Sequence, residues 1–224
     1  MLITCWSAKG GVGTTVATAL LGLARAPDTP AGVTLVDLCG DLAAALGVTP
    51  EPASGLADWL ERPEVPLDAL ARLAVEVRPG LHLIGPGRGS DPPTPVAPAR
   101  LELLCSQLDS GGVVIVDAGT LPLRPGAAGG VGHHFASAST QSLLVTRRCY
   151  LSLRRAAALP LRPSGVILVD EPFRHLGPAD VAEVVGAPVV LQIDLDPAIA
   201  NAVDAGVLAT RLPRKLASAI ARVA

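Results

Sequence analysis

The sequence predicts a single α/β domain over residues 1–224: a mainly parallel, twisted sheet with helices on both faces. Three observations predict it. Strand-length apolar runs alternate with helix-length segments along the whole chain. Those runs are continuously apolar, as strands covered on both faces must be, rather than alternating apolar and polar. The first run, Leu2 to Trp6, enters a glycine-rich turn that opens an Ala- and Leu-rich helix, a strand–turn–helix unit suited to phosphate.

The elements follow in order. Strand 2–7 leads through the glycine turn into a helix from about Thr14 to Ala26, interrupted only by Gly22. Strand 33–37 ends at Asp37, and a short helix over Asp41 to Leu46 stops at Gly47. Two helices, at Gly55 to Leu60 and Leu67 to Val75, flank Pro63 and Pro66. Strand 80–85 precedes a Pro- and Gly-rich loop over 86–98, expected to be exposed. A helix from Ala99 to Leu108 leads into strand 113–117, and residues 118–135 read as the least regular region, with Gly126 to Gly132 expected to be mobile. Strands 142–146, 165–169 and 188–193 then alternate with helices over 149–158, 178–185 and 197–205, and a last helix covers 213–223. Ligands of such a sheet bind at the carboxyl ends of its strands.

Composition narrows the function. Half the residues are hydrophobic and the mean hydropathy is +0.46, yet no apolar stretch reaches the ~20 residues that cross a bilayer. Met1-Leu-Ile-Thr-Cys carries no basic segment ahead of an apolar one, so the expectation is no signal peptide and a cytoplasmic protein. A net charge of −2 does not support general nucleic-acid or membrane affinity. Cys5, Cys39, Cys105 and Cys149 form no C-x-x-C pair, which fits reduced thiols rather than a local metal motif. His133 and His134 have no further ligands at metal-binding spacing and read as surface histidines.

The chemistry concentrates in Ser7-Ala-Lys-Gly-Gly-Val-Gly-Thr-Thr15. Against the phosphate-loop pattern G-x-x-x-x-G-K-[ST], Ala8 stands at the first glycine and Gly13 at the last. Thr14 takes the lysine place, and Thr15 supplies the final hydroxyl. Backbone N–H groups over Gly10, Gly11, Val12, Gly13, Thr14 and Thr15, with the positive end of the helix dipole, favour bound phosphate. Lys9 is conspicuous, since only Lys215 is a second lysine.

Lys9-Gly-Gly-Val-Gly13 resembles the deviant phosphate loop of the ParA/MinD ATPase family. Val33-Thr-Leu-Val-Asp37 resembles that family's second strand, and Val113-Val-Ile-Val-Asp117-Ala-Gly119 its Walker B strand and switch II. The resemblance implies an ATP- or ADP-binding domain with Mg²⁺ held by Thr15 and, through water, by Asp117. It implies a nucleotide-dependent homodimer in which Lys9 reaches the partner's nucleotide, the one candidate for a catalytic group. Asp37 would organise the loop or bond only nearby backbone. Asp170, with Glu171, stands where the family often has Asn-Arg at the adenine. The function implied is a switch that positions a partner assembly, such as pilus or secretion machinery or membrane or nucleoid cargo. It would be cytoplasmic or peripheral at the membrane or cell pole. Thr14, and the run from Val36 to Ala43 followed by Gly55-Leu-Ala-Asp58, resemble the CpaE/TadZ pilus-localisation branch. Two departures weaken hydrolysis: Thr14 lacks the lysine charge, and Cys39 replaces the Asp expected to position water, with Asp41 as an alternative carboxylate. The other readings are a metabolic phosphate-loop ligase and a degenerate scaffold that binds no nucleotide. The last helix, with Leu212, Leu216, Ile220 and Val223 on one side, either packs on the sheet or resembles the MinD membrane anchor.

Overall fold

A computed structural model describes residues 1–48, 54–87, 96–123, 130–211 and 220. Strands β1 (Leu2–Ser7), β2 (Val33–Asp37), β3 (Val75–Arg78), β4 (Leu81–Ile84), β5 (Val113–Thr120), β6 (Gln141–Arg147), β7 (Gly165–Asp170) and β8 (Val189–Asp194) form one sheet. The helices are α1 (Thr14–Arg25), α2 (Leu42–Leu46), α3 (Leu56–Glu61), α4 (Ala69–Leu73), α5 (Pro98–Ser110), α6 (Gly130–Ala138), α7 (Tyr150–Ala158), α8 (Pro178–Val185) and α9 (Pro197–Asp204). The strand order is β3-β4-β2-β5-β1-β6-β7-β8, parallel except for β3 against β4. The single α/β domain with a mainly parallel sheet is therefore as the sequence predicts.

The continuous apolar runs have a direct explanation. Along β1, Ile3 and Cys5 join a core with α1, α2 and α9, while Leu2 and Trp6 join a second core under α3 to α8. Both faces of the strand are buried, so most positions on either face are apolar, and the exceptions, Thr4 and Ser7, are buried with hydrogen-bond partners. Gly22 fits the same packing: a β-carbon there would come within 2.7 Å of Leu35 Cδ2, so glycine lets α1 lie close on β2.

The structure differs from the sequence reading at three places. The helix expected over Leu67 to Val75 is confined to Ala69–Leu73, and Val75 to Arg78 form β3, an antiparallel edge strand whose residues are only partly covered. Strand β5 runs on to Thr120, because Ser7 pairs with Thr120 beyond a bulge and the Leu121 N–H donates to Ser7 O at 2.8 Å. Gly130 to Ala138 is helical, with Val131 and Phe135 one turn apart in the core. His133 on that helix is buried rather than at the surface. Most of the 86–98 loop, the stretch 124–129 and the last helix lie outside the described residues, apart from Ile220, which is buried in the α1 core.

Candidate functional site

The site begins where β1 ends. Ala8 is buried, and the chain then turns through Lys9 and three glycines before α1 starts at Thr14. Gly11 and Gly13 take φ values of +74° and +98°, which L side chains rarely adopt, and Gly13 is the residue that caps α1. No side chain fills the cap, and a β-carbon built on Gly11 meets nothing within 4 Å. The loop is thus an open concavity of backbone at a helix N-terminus. Val12 is buried beside it. Thr14, in the place of the usual lysine, is buried, and its carbonyl accepts the Thr18 hydroxyl at 2.9 Å. The Lys9 ammonium donates to its own loop at Gly10 O, at 3.4 Å.

Two carboxylates face each other on adjacent strands, Asp37 at the end of β2 opposite Asp117 within β5. They are used differently. Asp37 Oδ1 accepts from the Cys39 and Gly40 N–H groups, both at 2.8 Å, and Oδ2 accepts from Leu42 N–H at 2.9 Å. Its burial raises its pKa, against those three donors. Asp37 therefore shapes the β2–α2 loop. Asp117 Oδ1 accepts from Gly119 N–H at 3.0 Å, while Oδ2 is buried and has no hydrogen-bond partner among the described residues. Burial pushes the Asp117 pKa up to about 6, although the nearby Thr15 hydroxyl and the Gly119 N–H favour its charged form. An orphaned carboxylate oxygen beside a helix N-terminal hydroxyl is the donor set a hard divalent cation takes. Thr15 and Asp117 thus fit Mg²⁺.

Cys39 lies against Gly119, next to this pair, and Asp41 is exposed with no side-chain cap bond to α2. Asp170 and Glu171 are not a free loop pair. Arg148 pairs with Asp170, and Glu171 accepts from Arg147 at 2.6 Å and from Arg174 Nε at 2.7 Å. The Arg174 contact, followed by Arg147, holds the Glu171 carboxyl below the usual range despite its burial.

The sequence reading missed the wall behind the loop. A cavity of about 260 Å³ lies between α1 and the β8–α9 connection, lined by Val12, Val16, Val169, Ile193, Asp194 and Leu195 among others. Its walls are mainly apolar, with Arg147, Asp194, Asp196 and Asp204 also lining it. Asp196 is occupied in capping α9, accepting from Ala198 N–H at 2.8 Å. The cavity continues the glycine loop along α1, where the organic part of a nucleotide would extend. Pro197 at the first turn of α9 is the one local signal in the sequence that a loop ends there.

Comparison by sequence finds no matching family model and no matching curated protein. Comparison by structure finds a ParA family ATPase from Chlorobium tepidum, 22% identical with a TM-score of 0.75, covering 99% of this chain and 98% of that one. The fold is that of the ParA/MinD ATPases. The MinD cell division protein in a MinC:MinD complex from Aquifex aeolicus has a TM-score of 0.74 at 20% identity, with coverage of 99% and 93%. The septum site-determining protein MinD complexed with Mg-ADP from Pyrococcus horikoshii has a TM-score of 0.71 at 20% identity, again with coverage of 99% and 93%. Within the ParA/MinD fold, the glycine loop, Asp37 and Asp117 of this chain share one end of the sheet, at the carboxyl ends of β1, β2 and β5.

Proposed function

We propose that this chain is a nucleotide-binding switch of the ParA/MinD kind that dimerises on ATP and positions a partner assembly. One observation carries the reading: an open glycine cradle at a helix N-terminus faces a buried, orphaned Asp117 oxygen beside Thr15. The cradle would take the phosphates, and Thr15 and Asp117 would hold Mg²⁺. The metal neutralises phosphate charge when bound. The apolar cavity along α1 would take the base and ribose. A MinD neighbour is complexed with Mg-ADP and another with MinC, which supports a nucleotide and a protein partner.

Thr14 and Cys39 make the switch slow, so ATP stays bound and the dimer persists. Lys9, folded back on Gly10 O in the single chain, would swing to the partner's phosphates. Pilus machinery of the CpaE/TadZ type is the assembly we favour, with the protein cytoplasmic or peripheral at the membrane or pole.

Calorimetry with ATP, ADP and Mg²⁺, paired with light scattering of wild type and Lys9→Ala, tests this. Expected are nucleotide binding by both proteins and an ATP-dependent dimer for wild type alone. No heat with ATP·Mg²⁺ would leave a scaffold. Phosphate release only with an added carboxylic acid or amine would indicate a ligase.

A further inference from the structure

Among the residues lining the cavity beside α1, Arg147 is the one side chain that donates hydrogen bonds and cannot accept them. It ends β6 in register with Val169 on β7, and Val169 stands in register with Ile193 on β8. Val145, Val169 and Ile193 all pack in the α1 core, so strand alternation puts Arg147 on the same side of the sheet. Its guanidinium is held rather than free. Nη1 donates to Glu171 at 2.6 Å, and Glu171 is itself fixed by Arg174 Nε at 2.7 Å. That pairing occupies one nitrogen. On a planar guanidinium, Nε and Nη2 form a separate edge of two parallel donors. Nε of Arg147 is buried with no hydrogen-bond partner among the described residues. A buried donor without an acceptor is costly, so this edge calls for a ligand that brings acceptors.

Taken as the base site, the reading on which this inference rests, the cavity would bring a purine to that edge. Guanine presents O6 and N7 side by side, both acceptors, and an arginine fork meets them with two hydrogen bonds. Adenine presents N7 beside its N6 amine, so one arm of the fork would face a donor. The carboxylate that could accept from that amine is already engaged: Asp170 is ion-paired with Arg148. Asp196 is bonded to Ala198 N–H at the start of α9. Asp194 and Asp204 do not oppose guanine, whose N2 amine donates to an acceptor. We infer that Arg147 reads the base, and that the site takes guanine nucleotides at least as tightly as adenine nucleotides. Glu171 is the positioning residue that holds the fork in place.

Calorimetry on the full chain with Mg²⁺ compares ATP, GTP and inosine triphosphate, which keeps O6 and N7 and lacks the N2 amine. Expected is binding of GTP and inosine triphosphate at least as tight as that of ATP, a comparison that needs no variant to fold. Arg147→Gln supplies an amide, the group that pairs with adenine N6 and N7. In that variant the ratio of GTP to ATP affinity should fall at least tenfold. A general loss of binding would lower both affinities together, which a purely structural role for Arg147 would produce. ATP bound more tightly than GTP by wild type, or a ratio unchanged in Arg147→Gln, would overturn the inference and leave the nucleotide site standing. Tight GTP with weak inosine triphosphate would overturn it too, by assigning the base to the carboxylates. Binding of no nucleotide would remove both the site and the inference.

Discussion

The Cys39 sulfur lies over the α-carbon of Gly119, where a β-carbon would overlap it. The contact joins the two loops that carry Asp37 and Asp117. On one side, the Cys39 N–H is fixed to the Asp37 carboxylate; on the other, the Gly119 N–H is fixed to Asp117. Gly119 has φ +59° and its carbonyl accepts the Ser7 hydroxyl at 3.1 Å. Gly119→Ala should therefore destabilise the fold by about 1–3 kcal/mol, from overlap with sulfur and from backbone strain. Cys39→Ala in the same chain should restore the overlap part and leave the strain. Urea melts of the two single variants and the double variant measure the coupling. Strict additivity would contradict the contact.

Asp117 sets stability against metal use. Its pKa in the fold is about 6, against an unfolded value of about 4, so the folded state binds the proton more tightly. Stability therefore falls as pH rises from about 4 to about 6 and is flat above, a loss of about 3 kcal/mol in the metal-free protein. Asp117→Asn keeps an acceptor for Gly119 N–H and cannot ionise. It should be more stable than wild type by about 1–3 kcal/mol at pH 7, and no more stable at pH 4. It should also lose any stabilisation by Mg²⁺ with nucleotide. Paired melts at the two pH values, with and without Mg²⁺, check both halves.

Glu171 has the opposite sign. Arg174 and Arg147 hold its pKa below the usual value, so its contribution is present above the unfolded pKa of about 4.5 and is lost as pH falls through the lower folded value. Glu171→Gln should cost about 1 kcal/mol at pH 7, since Arg174 is half exposed, and progressively less as pH falls below the unfolded value. Denaturant midpoints of both proteins across that range give the answer.

The glycine loop was legible because its chemistry is local: φ above zero at Gly11 and Gly13 is written in the residue type. Asp37 and Asp117 were legible because each closes an apolar run in the sequence, although β5 itself continues past Asp117 to Thr120. What these carboxylates do was not legible. Three backbone donors after Asp37 engage both of its oxygens, whereas one Asp117 oxygen has no partner among the described residues, and that difference depends on loop geometry. Strand β3 was hidden because an edge strand buries little and shows no continuous apolar run. The base-sized cavity was hidden because Val16 and Leu195 lie far apart in sequence and meet only through sheet order.

Glycine substitutions separate backbone conformation from space. A β-carbon at Gly13 would meet Val169 Cγ2 at an ordinary 3.7 Å, and one at Gly11 meets nothing, so neither site is crowded. The penalty is conformational, about 1 kcal/mol or more for each alanine. Both variants should fold with modestly lower melting temperatures. Each should lose at least tenfold in ATP affinity by calorimetry, because the N–H groups no longer converge. Unchanged affinity in both would remove the loop as the phosphate site.

Hydrolysis should be very slow, for two independent reasons. Thr14 is buried where an ammonium would otherwise meet the terminal phosphates, and the Lys9 ammonium rests on Gly10 O. Cys39 stands against Gly119 where a carboxylate would orient water, and a thiol does not accept a proton as a carboxylate does. Phosphoryl transfer rests on positioning and electrostatics, and losing one part of each kind removes ~2–4 kcal/mol apiece, roughly 30- to 1000-fold in rate. Thr14→Lys with Cys39→Asp should raise single-turnover hydrolysis well above wild type. The second substitution must also be accommodated at Gly119, so Cys39→Asp alone should lower the melting temperature, and activity is compared per folded molecule. Ordinary ATPase turnover by wild type, on protein free of contaminating activity, would sink the slow-switch reading. Asp41, exposed but close enough to raise the pKa of Asp117, would then be the carboxylate to replace by Asn, with loss of turnover in that variant identifying it.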